Sequence, residues 1–176
     1  MNYSKTFVAL DKAAHDRESF DCGKDELNTF IKTFAARHME IGVSRTMVLP
    51  AAGPSEEGKV SICAFFRIAP SAIERKTLPQ ALSKKLPHYP VPVFLLAQLA
   101  VHKDNCGQGL GKWALIRALK YFVDLLEHIP AYAAIVDCLD EDAESFYAKY
   151  GFEELSDYGG RKRMFLPMKT VMQLFK

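Results

Sequence analysis

The chain is poor in cysteine and arranges what it has in no pattern that chemistry uses. Its four cysteines, Cys22, Cys63, Cys106 and Cys138, are widely scattered, with no Cys-x-x-Cys pair and no histidines clustered at metal-ligand spacing. Neither a zinc site nor a redox pair is expected, and a reducing cytosol would leave all four as thiols. No apolar run approaches the length of a membrane span. The stretch from Met1 to His15 interrupts short apolar pieces with Lys5, Asp11 and Lys12 and offers no signal-peptide hydrophobic region. A cytoplasmic protein with no membrane partner and no metal is the expectation. A net charge of +2 is too small to establish a nucleic-acid partner, so any such contact would need a local basic face. Internal repeats, linkers and low-complexity tracts are also missing. With 176 residues, 49% hydrophobic and 25% charged, the chain fits a single domain, 1–176, with a core able to fold without staples.

What is present reads as alternating strands and helices. Thr6 to Leu10 suits a first strand. After the polar turn Phe20-Asp21-Cys22-Gly23, residues Leu27, Phe30, Ile31, Phe34 and Ala35 recur at helical spacing. That pattern predicts one buried face, with Lys24, Lys32 and Arg37 towards water and Asp21 or Asp25 capping the start. Thr46 to Leu49 and Val60 to Ile68 predict a hairpin whose long tip carries Gly53-Pro54 and Glu56-Glu57-Gly58. Between Pro70 and Pro92 the prolines break the chain into a short helix around Gln80 to Lys84 and an extended segment, expected at the rim of a site. Val93 to Val101 has a single strongly polar residue, Gln98, as in a strand buried on both faces. Ala114, Leu115, Ala118, Leu119, Phe122, Leu125 and Leu126 form one helical stripe. Ala131 to Val136 predicts another strand, and Glu141 to Tyr150 a helix stopped at Gly151. Arg163 to Met168, after the turn Tyr158-Gly159-Gly160, predicts the last strand. The result is a mixed α/β sheet flanked by helices.

Between the Val93 to Val101 run and the helix after it lies Cys106-Gly107-Gln108-Gly109-Leu110-Gly111. Glycines there let the backbone approach a ligand, and the first N–H groups of the helix, backed by its dipole, suit a phosphate. A bare strand-to-helix turn would look the same. A second segment, Ala143 to Phe152, holds the pair Phe146-Tyr147. Ala143, Phe146, Tyr147 and Tyr150 share one helix face, so ordinary core packing also accounts for Tyr147.

Together these segments resemble the GNAT acyltransferase superfamily, whose cofactor is acetyl-coenzyme A. The resemblance implies a sheet with splayed central strands. The family's glycine motif maps onto Cys106 to Gly111, with Gly109 and Gly111 matching and Cys106 standing where a longer polar side chain is usual. Leu99, Ala100 and Val101 would run along the pantetheine, and Cys106, Gly107, Gln108, Gly109, Leu110, Gly111 and Lys112 would cradle the phosphates. Tyr147 would be the general acid that protonates the departing thiolate, since a phenol with a pKa of about 10 stays protonated at neutral pH.

A closer similarity, covering nearly the whole chain, is to the GNAT toxins of type II toxin-antitoxin modules. It is carried by Phe20 to Gly23, Leu27 to Phe30, Arg67-Ile68-Ala69, Leu86 to Pro92, Leu99 to Val101, Ala143 to Phe152 and Phe165 to Thr170. It implies acetylation of the α-amino group of aminoacyl-tRNA, a small ribbon-helix-helix antitoxin as partner, and a homodimer. An α-amino group with a pKa of about 7.7–8.0 needs little help from a general base, and His102 is the one base candidate near the central strand. Basic residues for tRNA phosphates would come from Lys32, Arg37 and Arg45, from Lys84 and Lys85, and from Arg161, Lys162 and Arg163. Each also suits a solvated surface. Acetylation of a small amine or a protein N-terminus, and a non-catalytic GNAT-like binding domain, are the alternative functions.

Overall fold

In a computed structural model, residues 2–53 and 58–176 are described; the expected tip chemistry at Pro54, Glu56 and Glu57 lies outside them. The chain divides into two compact units, Met1–Ile68 with Gln98–Ala118, and Ala69–Ala97 with Leu119–Lys176.

In the first unit β1 (Val8–Ala9) pairs antiparallel with β3 (Arg45–Pro50), which pairs antiparallel with β4 (Val60–Ile73) through Arg45↔Ile68 to Pro50↔Ile62. A short strand unforeseen in the sequence, β2 (His15–Asp16), adds parallel to β4 at Val60 and Ser61. The first helix is interrupted. Helix α1 (Asp25–Thr29) runs into a π-helical turn, Phe30–Phe34, before α2 (Ala35–Glu40). A π turn takes up one extra residue and rotates the succeeding helix by about 100°. Leu27, Phe30, Ile31 and Ala35 are therefore buried as the periodicity predicts, whereas Phe34 is 46% exposed. Lys24 occupies the N-cap position with no side-chain cap bond, so neither Asp21 nor Asp25 caps the helix.

In the second unit β5 (Val91–Val101) pairs parallel with β6 (Ala133–Asp137), β6 antiparallel with β8 (Arg161–Pro167), and β8 antiparallel with β7 (Glu153–Tyr158). The parallel register ends at Leu96↔Val136, next to the end of β6 at Asp137, while β5 continues to Val101. The β7–β8 turn needs positive φ at both central residues, and Gly159 and Gly160 supply 59° and 81°. Strand β4 extends to Ile73, past Pro70; its register with β3 ends at Ile68, so the missing proline N–H interrupts no β3–β4 bond. A 3₁₀ turn, Arg75–Thr77, and α3 (Gln80–Ser83) come next, and α6 (Met168–Gln173) closes the chain. The fold is the mixed α/β sheet flanked by helices that the sequence predicts. No helix among the described residues is long and apolar enough to cross a membrane.

Candidate active site

Two sets of residues are placed by these units. The first begins where β5 ends. His102 is buried, and its ring is committed: Nδ1 accepts from the Asp104 N–H at 3.1 Å, and Nε2 lies 3.2 Å from the Ser19 carbonyl. That pairing engages both nitrogens a general base would need. Its backbone N–H donates to the Cys63 carbonyl at 2.8 Å. A 3₁₀ turn, Lys103–Asn105, then carries the chain into the glycine loop.

That turn is held from far along the chain. The Lys103 N–H donates to the Asp21 carbonyl at 2.8 Å, and Lys103 Nζ lies 3.0 Å from Asp21 Oδ2. Asp21 Oδ1 accepts from the Gly23 N–H at 2.9 Å and from Asn28 Nδ2 at 3.0 Å, while Asn28 Oδ1 takes the Cys22 N–H at 2.9 Å. These donors, the Gly23 N–H first, hold the Asp21 carboxyl well below the usual carboxylate range. The Asp-Cys-Gly signal for such a turn is visible in the sequence; its union with Lys103 is not.

Cys106, Gly107, Gln108 and Gly109 are exposed. Gly107 and Gly109 sit at φ of 79° and 77°, and a Cβ at either would meet nothing within 4 Å, so the backbone lies open there. The Gly109 carbonyl accepts the Trp113 N–H at 3.1 Å, making Gly109 the N-cap of α4 (Leu110–Leu125, 16 residues). The N–H groups of Leu110, Gly111 and Lys112 thus point along the axis without intrahelical acceptors. Cys106 turns its Sγ back to the His102 carbonyl at 3.7 Å, serving the loop rather than reaching outwards. Ala114, Leu115 and Ala118 are buried and fix this end of the helix. Upstream on β5, the Gln98 Oε1 is buried with no hydrogen-bond partner, beside Leu99, Ala100 and Val101.

An acyl-coenzyme A has phosphates for the open loop and helix end, and pantetheine amides whose N–H groups match an orphaned acceptor such as Gln98 Oε1. The residues present fit that group.

The second set surrounds α5 (Glu141–Lys149). Asp140 caps it by accepting the Ala143 N–H at 2.9 Å. Its end is a Schellman motif: Gly151, at φ 95°, donates to Ala148 and Phe152 to Tyr147. Tyr147 is 5% exposed, its ring 5.3 Å from that of Phe146 and 5.5 Å from that of Phe152. Burial, with Cys138 and Asp137 adding, pushes the phenol well above its ordinary value. Burial likewise pushes the Cys138 thiol up to about 11. Tyr147 is both a core residue and a proton holder.

The basic residues do not share one condition. Arg37, Arg45, Lys84 and Lys85 are exposed, and Lys32 and Arg161 are half-buried. Lys162 lies 3.5 Å from both Glu144 and Glu154. Arg163 is not a surface cation. It is 8% exposed, donates to Asp137 at 2.7 and 3.2 Å, and stacks over the Tyr158 ring at 4.1 Å. The β6–β8 register sets it directly opposite Asp137, which the run Arg161-Lys162-Arg163 conceals. No sequence pattern marks Arg67 as a cation with partners: half-buried, it lies over the Phe30 ring and bonds Ser44 Oγ and His38 Nδ1.

A strand leading into an open glycine loop that caps a helix and, in the second unit, a buried tyrosine on α5 are features that a GNAT acyltransferase carries. No family model matches the chain. It is 30% identical over 140 residues, 80% of each chain, to a protein of Mycobacterium tuberculosis named tRNA-acetylating toxin. Among solved structures it resembles a tyrosine-to-phenylalanine mutant of KacT (TM-score 0.87, 28% identity, 97% of this chain and 98% of that one). It also resembles AtaT complexed with acetyl-methionyl-tRNAfMet (0.85, 26%, 97% and 99%) and AtaTR bound with AcCoA (0.81, 25%, 97% and 98%). The chain belongs to the GNAT-type tRNA-acetylating toxins.

Proposed function

We propose that the chain transfers acetyl from acetyl-coenzyme A to the α-amino group of aminoacyl-tRNA and thereby blocks translation. The observation that carries the reading is the open glycine loop at the N-terminus of α4, set on the strand that bears Gln98 to Val101. Gly107, Gln108, Gly109, Leu110, Gly111 and Lys112 would hold the phosphates through backbone N–H groups, and Leu99, Ala100 and Val101 the pantetheine. The bound cofactor supplies an activated thioester.

The chain's own residues do the rest. The substrate amine, with a pKa of about 7.7–8.0, is substantially unprotonated at neutral pH, so it attacks without a dedicated base, and the proton its nitrogen sheds as the amide forms passes to water, from which the spent Tyr147 phenolate is reprotonated. That agrees with His102 having both ring nitrogens engaged. A main-chain N–H on β5 would stabilise the oxygen that gathers charge. Tyr147 Oη holds its proton across the neutral range and gives it to the departing sulfur. The basic residues Lys32, Arg37, Arg45, Lys84, Lys85, Arg161 and Lys162 are offered to the tRNA backbone; Arg163 is engaged with Asp137. A ribbon-helix-helix antitoxin would neutralise the enzyme, which we place in the cytoplasm, as one domain and as a homodimer.

The test is transfer from labelled acetyl-coenzyme A to a pool of charged tRNA, with uncharged tRNA and free amino acids as controls. Label on charged tRNA alone is the expected result. Label on small amines or protein N-termini instead would overturn the substrate and keep the enzyme.

A further inference from the structure

The segment between β4 and β5 forms a cleft of about 890 Å³ that the proposed chemistry does not use. Its base is built. Leu78 is buried with Ile73, Val91 and Val93, and Leu82 and Leu86 pack against that cluster. Arg75 joins its walls, with Nη1 3.1 Å from the Leu86 carbonyl and 3.0 Å from His88 Nε2. Tyr89, between Pro87 and Pro90, lines the cleft at 66% exposed. Pro90 biases it to extended backbone, so a flat aromatic face is presented with little left to order.

The lining charge is positive. Arg75, Lys76 and Lys84 are opposed by Glu74 alone, and Glu74 is taken by Lys76 at 3.0 Å. Among the described residues no carboxylate is recorded against Arg75 or Lys84. An acidic peptide would use the cations and leave the ring idle. An apolar ligand would use the ring and strand the cations. An unpaired nucleotide uses both, with its base on an aromatic face and its phosphates on Lys and Arg.

We propose that this cleft holds an unpaired nucleotide of the charged tRNA, its base stacked on Tyr89 and its flanking phosphates against Lys84 and Arg75. The proposal rests on the aminoacyl-tRNA reading above. Lys169 supplies an internal control, because it is exposed, does not line the cleft and is not among the cations offered to the tRNA.

The experiment measures steady-state acetylation of charged tRNA, and binding of a labelled single-stranded oligoribonucleotide, for the full chain and four variants. Tyr89→Ala should raise KM for charged tRNA by about 5- to 100-fold, the range of a lost base stack, with kcat and the KM for acetyl-coenzyme A unchanged. Tyr89→Phe should restore near-normal KM. Lys84→Ala should weaken binding and lower the salt slope by about 0.7, one single-strand phosphate contact, whereas Lys169→Ala should leave the slope unchanged. Tyr89→Ala behaving as wild type, or Lys169→Ala matching Lys84→Ala, would overturn the cleft while leaving the substrate in place. A wild-type chain that transfers nothing to charged tRNA would instead refute the substrate. The oligoribonucleotide arm then decides the cleft separately: Tyr89-dependent binding supports it, and displacement by an acidic peptide with no Tyr89 dependence removes it.

Discussion

Replacing Tyr147 by phenylalanine separates its packing in the core from the proton donation proposed for it. The ring stays, with its contacts to Phe146 and Phe152, so the core should lose no more than about 1.5 kcal/mol from the missing hydroxyl. The proton goes. A positioned general acid contributes about 10²–10⁴ in rate, equal to about 3–5 kcal/mol of barrier. In a time course of labelled acetyl transfer to charged tRNA, kcat should therefore fall by at least about 100-fold, with the Kd for acetyl-coenzyme A, measured by calorimetry, unchanged. The pH profile supplies a second reading. Burial, then Cys138 and Asp137, raise the phenol above its ordinary value of about 10. Activity should rise as the substrate amine loses its proton near pH 8 and then hold to about pH 10, where an ordinary tyrosine would begin to fail. A kcat within about 3-fold of wild type would refute the assignment, as would a loss of activity matched by a loss of cofactor binding.

Three further outcomes are expected. Gly109→Ala strains a backbone at φ 77° without a steric clash; at about 1–2 kcal/mol for the left-handed conformation, acetyl-coenzyme A should bind about 10-fold more weakly by calorimetry. Asp21 has a folded pKa depressed below the unfolded value of about 4, so its contribution is present above that pH and is lost as pH falls through the folded value. Asp21→Asn should accordingly flatten the dependence of the urea midpoint on pH below about 4. Arg163→Ala leaves Asp137 without its partner; because the Asp137 side chain keeps some exposure, a loss of about 2 kcal/mol in urea melts is expected, below the range for a fully buried pair.

The sequence announces its strands well where an apolar run has one reading, as in Val93 to Val101, and its helix stops where glycine has one role, as at Gly151. It misleads where a single residue shifts the register. Phe34 fits an α-helical stripe until the π turn is known, and no local signal marks that turn. Pro70 looks like a strand end, yet β4 passes it because pairing with β3 has already stopped at Ile68. The loop glycines and the tyrosine of α5 were legible as a pattern. Their supports were not: Asp21 reaches Lys103 across most of the first unit's chain, and Arg163 meets Asp137 as its cross-strand neighbour on β6. Tyr89 stood in plain view, but its place in one cleft with Arg75, Lys84 and His88 is visible only in the fold.

The Asp21 clamp has a kinetic consequence. Because one carboxylate joins the Cys22–Asn28 segment to the turn that starts the glycine loop, the two cannot open independently at low cost. The amides of Gly23 and Lys103, one bonded to the Asp21 side chain and the other to its carbonyl, should exchange with solvent as a single unit despite their separation in sequence. Substitution at Asn28, on a helix with no proposed part in chemistry, would then be felt as a faster release of cofactor.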